Sequence, residues 1–178
     1  MKKEKNDNNN KWYRDGIDFD CTGCATCCSD HGEYAYVYLT DRDFLAISDL
    51  LGISTSTFYD EYCVYEGGLT HLKMKGPDCP FLKDKKCTVY EARPHQCRTW
   101  PFWPANLEQE TWEKEVKPFC PGIGKGKHYT AEEITRIAGS CEEDYMEMLS
   151  QMDESDLQKA TNSDEEKETD STEGSGRK

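Results

Sequence analysis

No stretch of this 178-residue chain is long and apolar enough to span a bilayer, and the positively charged start MKKEKNDNNN has no apolar segment behind it. Neither a membrane location nor a secretory leader is expected, and the chain reads as cytoplasmic. Hydrophobic residues are scarce, at 35% with a mean hydropathy of −0.92, which leaves little apolar surface for a self-sufficient core. Basic residues are few beside acidic ones, 22 against 35, for a formal net charge of −13. Such a chain repels phosphate backbones and anionic headgroups, whose binding depends on Lys and Arg displacing counterions, so nucleic acid is not an expected partner. Paired histidines are missing too. His31, His71, His95 and His128 show no metal spacing, and His95, two positions before Cys97, reads as a surface or supporting group.

What the chain has in quantity is cysteine, ten in all. In a reducing cytoplasm thiols are kept from pairing, so a cysteine-rich chain there points to metal or redox chemistry rather than to a disulfide scaffold. Cys21, Cys24, Cys27 and Cys28 fall in DFDCTGCATCC, a C-x2-C-x2-C-C run. Two-residue gaps let neighbouring thiolates face one ion, as in zinc sites and in the ligand runs of bacterial iron–sulfur proteins. Gly23 tolerates the tight curl such a run needs. Adjacent residues usually turn their side chains apart, so Cys27 and Cys28 are not expected to share one mononuclear ion.

Cys79, Cys87, Cys97 and Cys120 bring the set to eight, which divides into two four-thiolate sites or one cluster and one structural zinc. Thiolate is a soft donor suited to zinc, iron or a 4Fe-4S cluster, whereas magnesium and calcium need oxygen ligands. The pattern leaves the choice among the soft metals open. Lys83, Lys85, Lys86, Arg93 and Arg98 lie among the second group of cysteines and are candidates to offset its negative charge. Cys63 and Cys141, outside the clusters, read as small buried hydrophobes. The run Trp100 to Pro104 is expected to pack over the metal core, with the lining of a ligand groove as the alternative.

The fold class expected is α+β: a small, irregular, metal-stabilised single domain over 12–150, with short helices and strands between disordered tails at 1–11 and 151–178. Glu33 to Leu39 mixes aromatic and β-branched residues and reads as a strand. Thr40 with Asp43 makes a capping box for a helix whose apolar face is Phe44, Leu45, Ile47 and Leu51, ended by Gly52. Ser54 caps a second helix carrying Phe58, Tyr59 and Tyr62, and Leu69 to Lys75 reads as an exposed strand. Thr130 and Glu133 open a helix over about 131–149. The acidic tail reads as a solvated segment.

With these residues in place, the chain resembles the cysteine-cluster family named for its CxxCxxCC motif, a family associated with zinc or iron chelation. The resemblance rests on Cys21-Thr22-Gly23-Cys24-Ala25-Thr26-Cys27-Cys28, Cys79-Pro80-Phe81-Leu82, Cys87-Thr88-Val89-Tyr90, Arg93-Pro94-His95-Gln96-Cys97-Arg98 and Cys120-Pro121-Gly122, and spans about 17–124. It implies metal chelation by the eight cysteines and leaves the function otherwise open, with an iron–sulfur redox protein and a metal-dependent enzyme as alternatives to a metal-binding protein without activity of its own. The domain is also similar to the cysteine-rich part of flagellin lysine N-methylases, which supplies a methyl-transfer alternative. Against that alternative, the chain has no glycine-rich strand-to-helix fingerprint for a nucleotide-like cofactor.

Overall fold

The computed structural model describes residues 11–29, 36–74 and 76–152. The tails expected at 1–11 and 151–178 lie outside these residues, apart from Lys11, Gln151 and Met152. The architecture is mixed α+β, with short antiparallel strand pairs set among helices. Among the described residues no helix is long and apolar enough to cross a membrane.

Two hydrophobic cores organise the chain. The first gathers Val37, Leu39, Ile47, Phe58, Cys63, Leu72, Phe81 and Val89, with Cys79, Cys87 and Cys97 packed against it. It is built by α1 (Asp41–Leu51), α2 (Thr55–Tyr62) and the hairpin β2 (Cys63–Glu66) with β3 (Leu69–Leu72). The capping box forms as expected, with the Thr40 side chain accepting from the Asp43 N–H, and Gly52 closes α1 in the left-handed region at φ 67°. Phe44 and Ile47 face the core, but Leu45 is 63% exposed, because it lies about a hundred degrees round the helix from Phe44. Ser54 caps α2 by accepting from the Thr57 N–H, and Phe58 is fully buried, stacked on Tyr62 and Phe81.

The strand expected to be exposed is interior instead. Leu69, His71 and Leu72 of β3 are buried because β2 pairs along one edge and residues 37–39 run along the other. There the Leu72 N–H donates to Val37 O and the Leu39 N–H to Thr70 O. Regular pairing in this expected strand is confined to a bridge between Tyr38 and His71; its first residues, 33–35, fall outside the described set.

The second core holds Tyr13, Ile17, Phe19, Phe102, Trp112, Val116, Ala131 and Ile134. Here β1 (Ile17–Phe19) pairs antiparallel with β6 (Lys127–Tyr129), Ile17 opposite Tyr129. The hairpin β4 (Leu82–Lys83) with β5 (Lys86–Cys87) and the short α3 (His95–Thr99) bring Cys87 and Cys97 against the first core. A further helical stretch runs from α4 (Gln109–Thr111) through a π turn at Trp112–Val116 into α5 (Lys117–Phe119). The Thr130–Glu133 capping box opens α6 (Ala131–Ser150), which runs uninterrupted past Gly139. Ile134 is fully buried beneath it.

Candidate metal centre

Seven of the eight candidate ligands line one cavity of about 560 Å³: Cys21, Cys24, Cys27, Cys28, Cys79, Cys87 and Cys97. The C-x2-C-x2-C-C run leaves β1 as irregular chain and turns through Ala25, at φ 64°, into one 3-10 turn at Thr26–Cys28. That turn explains a departure from expectation. Successive residues of a 3-10 turn are about 120° apart rather than opposed, and the Cys27 and Cys28 Sγ atoms meet at 3.9 Å. The same turn is tied to the second group of ligands, since the Cys79 N–H donates to Cys28 O at 2.8 Å.

Cys87 comes in on β5, directly opposite Leu82 of β4. The two-residue turn between them places both Asp84 and Lys85 in the left-handed region, at φ 50° and 61°, the twist that suits a tight hairpin. Neither residue is glycine, which is why composition gave no sign of this hairpin.

Cys97 rides on α3, a helix too short to hold itself. Asp43, only 2% exposed, fastens it. One carboxylate oxygen of Asp43 completes the α1 capping box, accepting from the Thr40 N–H at 3.0 Å and the Thr40 hydroxyl at 2.9 Å. The other accepts from the His95 N–H at 2.9 Å and faces the Arg98 guanidinium at 3.8 Å. Gln96 acts as a strand partner made of side chain: its Oε1 accepts from the Tyr38 N–H at 2.8 Å and its Nε2 donates to Tyr36 O at 3.1 Å. His95 is a supporting group, its Nδ1 paired with Asp144 and its Nε2 3.4 Å from the Ser140 hydroxyl, both on α6. The capping signal revealed Asp43's local duty, whereas the partner 52 positions away left no trace in the sequence.

Cys120 is set apart. It packs against the second core, and its sulfur accepts a hydrogen bond from the Trp100 indole N–H at 3.5 Å. Trp100 and Trp103 do line the cavity, as expected of this aromatic run, but Phe102 between them turns the other way into the second core. Of the two cysteines outside the set, Cys63 is buried at 6% exposure and Cys141 is partly buried on α6.

The electrostatics of the cavity ask for a cation. Burial raises the thiol pKa of Cys79, Cys87 and Cys97, and that of Cys27 is raised by its hydrogen bond with Cys28 and then by burial. Repulsion between thiolates adds to this, although at Cys87 the Arg93 guanidinium pulls the other way more strongly than either neighbouring thiolate pushes. A thiolate at Cys97 is repelled by thiolates at Cys79, Cys27 and Cys87, and one at Cys79 by those at Cys87 and Cys27. Four thiols so placed stay protonated by themselves and ionise together only when positive charge enters among them. Cys24 differs: its burial pushes upward, yet hydrogen bonds from Thr26 and Thr22 hold its pKa below the usual thiol value. Of the expected basic residues, Lys85, Lys86, Arg93 and Arg98 line the cavity and Lys83 does not.

The donor chemistry therefore fits a thiophilic metal. All ten cysteines are free thiols. Among the described residues, however, no three candidate ligand groups are drawn in on one ion; the sulfurs are spread around the cavity wall.

Comparison with known proteins gives the family of the chain. Residues 20–121 match the family CxxCxxCC, described as "Putative zinc- or iron-chelating domain". The match takes in more than half of the chain, which belongs to this family. Two relatives come from Methanocaldococcus jannaschii. "Uncharacterized protein MJ0939" is 30% identical over 118 residues, 63% of this chain and 39% of its own length. "Uncharacterized protein MJ0661" is 32% identical over 93 residues, 51% of this chain and 48% of its own length. The chain thus spans less than half the length of these curated relatives. No solved structure matches it.

Proposed function

We propose that the cavity thiolates hold a polynuclear metal centre, an iron–sulfur cluster, and that this chain is a cluster-binding protein. The observation that carries the reading is the spread of seven thiols around one cavity of about 560 Å³. A mononuclear site gathers its sulfurs within about 2.3 Å of one point, whereas a cluster is reached from several sides. Cys27, Cys79, Cys87 and Cys97 form the first ligand set, the last three packed against the first core and Cys27 repelling each of them as a thiolate. Cys21, Cys24 and Cys28 stand beside them, with Cys120 held behind Trp100. Ten unpaired thiols suit a reducing compartment such as the cytoplasm.

A second reading, closed zinc sites, is favoured by one distance. Sulfurs of a tetrahedral zinc site stand about 3.8 Å apart, as follows from Zn–S bonds of about 2.3 Å, and Cys27 and Cys28 stand 3.9 Å apart. Anaerobic purification with assay of iron, zinc and acid-labile sulfide decides between them. Stoichiometric iron and sulfide with a broad visible band is the expected result. Colourless protein with one or two zinc ions would establish the second reading, and reduced protein holding neither metal would overturn both.

A further inference from the structure

The cavity is larger than a metal centre by itself requires. Its volume of about 560 Å³ lies within the roughly 300–1,000 Å³ of small-molecule sites, which combine apolar walls with a few placed polar groups. Phe81, Trp100 and Trp103 supply such walls, and Lys85, Lys86 and Arg93 stand among them as cations.

With 35 acidic residues against 22 basic ones, a lysine or arginine has carboxylates in excess to meet. Among the described residues none of the three forms an ion pair with a carboxylate, whereas Arg98, which also lines the cavity, faces Asp43. Arg93 is also held in place, its guanidinium 3.9 Å from the Tyr90 ring centroid and its Nη1 donating to Tyr90 O at 2.8 Å. A fixed guanidinium with donors to spare, next to lysine and a flat apolar wall, is a recognition site for a carboxylate or phosphate on an apolar body.

We infer that the cavity binds a small organic anion beside the metal centre, its apolar body against Trp100 and Trp103 and its carboxylate or phosphate on Arg93 and Lys86. This rests on the metal reading in one respect: a metal ion or cluster cancels only part of the charge of the thiolates it ionises, so the anion shares these cations with the metal centre.

The test is calorimetric titration of the full, metal-loaded chain with 1-naphthoate, 1-naphthyl phosphate and 1-naphthylmethylamine, metal content being assayed in every sample. One or both anions are expected to bind at least about tenfold more tightly than the amine, and which of them binds better identifies the acidic group. Their affinity should fall as salt rises, through screening of exposed charge. Replacing Arg93→Gln and Lys86→Gln together should weaken anion binding about tenfold or more with metal content unchanged. Equal affinity for amine and anion, no binding of either, or salt-independent binding by the unaltered chain would overturn the inference. So would loss of metal from the double variant, which would assign these cations to the thiolates. A chain found to carry no metal fails the metal reading by that assay alone, while its preference between anion and amine still decides this inference.

Discussion

The two cores of this molecule are closed in different ways. The second is a nest of aromatic rings, with Phe102 stacked on Trp112 and edge-on to Phe19, and with a 20-residue helix laid over it. Its closure is apolar contact of the ordinary kind. The first has comparable rings around Phe58, but packed against it are Cys79, on irregular chain, Cys87, on a two-residue strand, and Cys97, on a five-residue helix. Elements that short have little intrinsic stability. Under the proposed function, the first core would be completed by the metal centre its sulfurs hold.

Removing metal should separate the two most sharply. Structural zinc contributes on the order of 10 kcal/mol in small domains, so stripping the centre with a chelator is expected to abolish hydrogen-exchange protection across residues 63–97. The β1–β6 pair and α6 should stay protected, and uniform loss across both cores would show that they are not energetically distinct. Next in size, Phe102→Ala opens a cavity in the aromatic nest and should cost about 3–5 kcal/mol. Denaturant titration should give that cost with and without bound metal, and dependence on metal would merge the two cores.

Asp43→Ala comes third. It leaves the Thr40 and His95 N–H groups without their acceptor, at about 1–3 kcal/mol, and should also loosen Cys97. The readout is faster metal loss to a competing chelator, which a purely structural defect in α1 would not produce. The smallest effect concerns pH. Burial pushes the Cys63 thiol from 9.0 up to about 12, so between pH 9 and 12 the unfolded chain loses a proton that the folded chain keeps. Stability supplied by this group is whole below pH 9 and is lost as pH rises through that window. Cys63→Ala should flatten that part of the stability profile, and an unchanged slope would assign the decline to other groups.

How much of this was written in the chain depends on how local the cause is. The caps at Thr40, Ser54 and Thr130 and the stop at Gly52 act within one turn of helix, and the sequence shows all of them. The candidate ligands stood out for a similar reason, since cysteine at two-residue spacing has few other uses, and seven of the eight candidates line one cavity. What stayed hidden was the work of side chains on distant backbone. Gln96 completing an edge for Tyr36 and Tyr38, and Asp43 closing α3, link positions more than fifty residues apart. The burial of β3 was hidden because an alternating strand reads as half exposed until a neighbour covers its second edge. The meeting of Cys27 and Cys28 depends on the backbone angle of Ala25, which composition does not report.

The hydrogen bond from the Trp100 indole to the Cys120 sulfur has an optical side. Indole fluorescence is sensitive to what its N–H touches, and this N–H touches a thiol from the second core while its ring faces the cavity of the first. Emission from Trp100 therefore reports on both halves at once: oxidation of Cys120, its capture by metal, or a change in the cavity alters the colour and brightness of a chromophore the protein already carries.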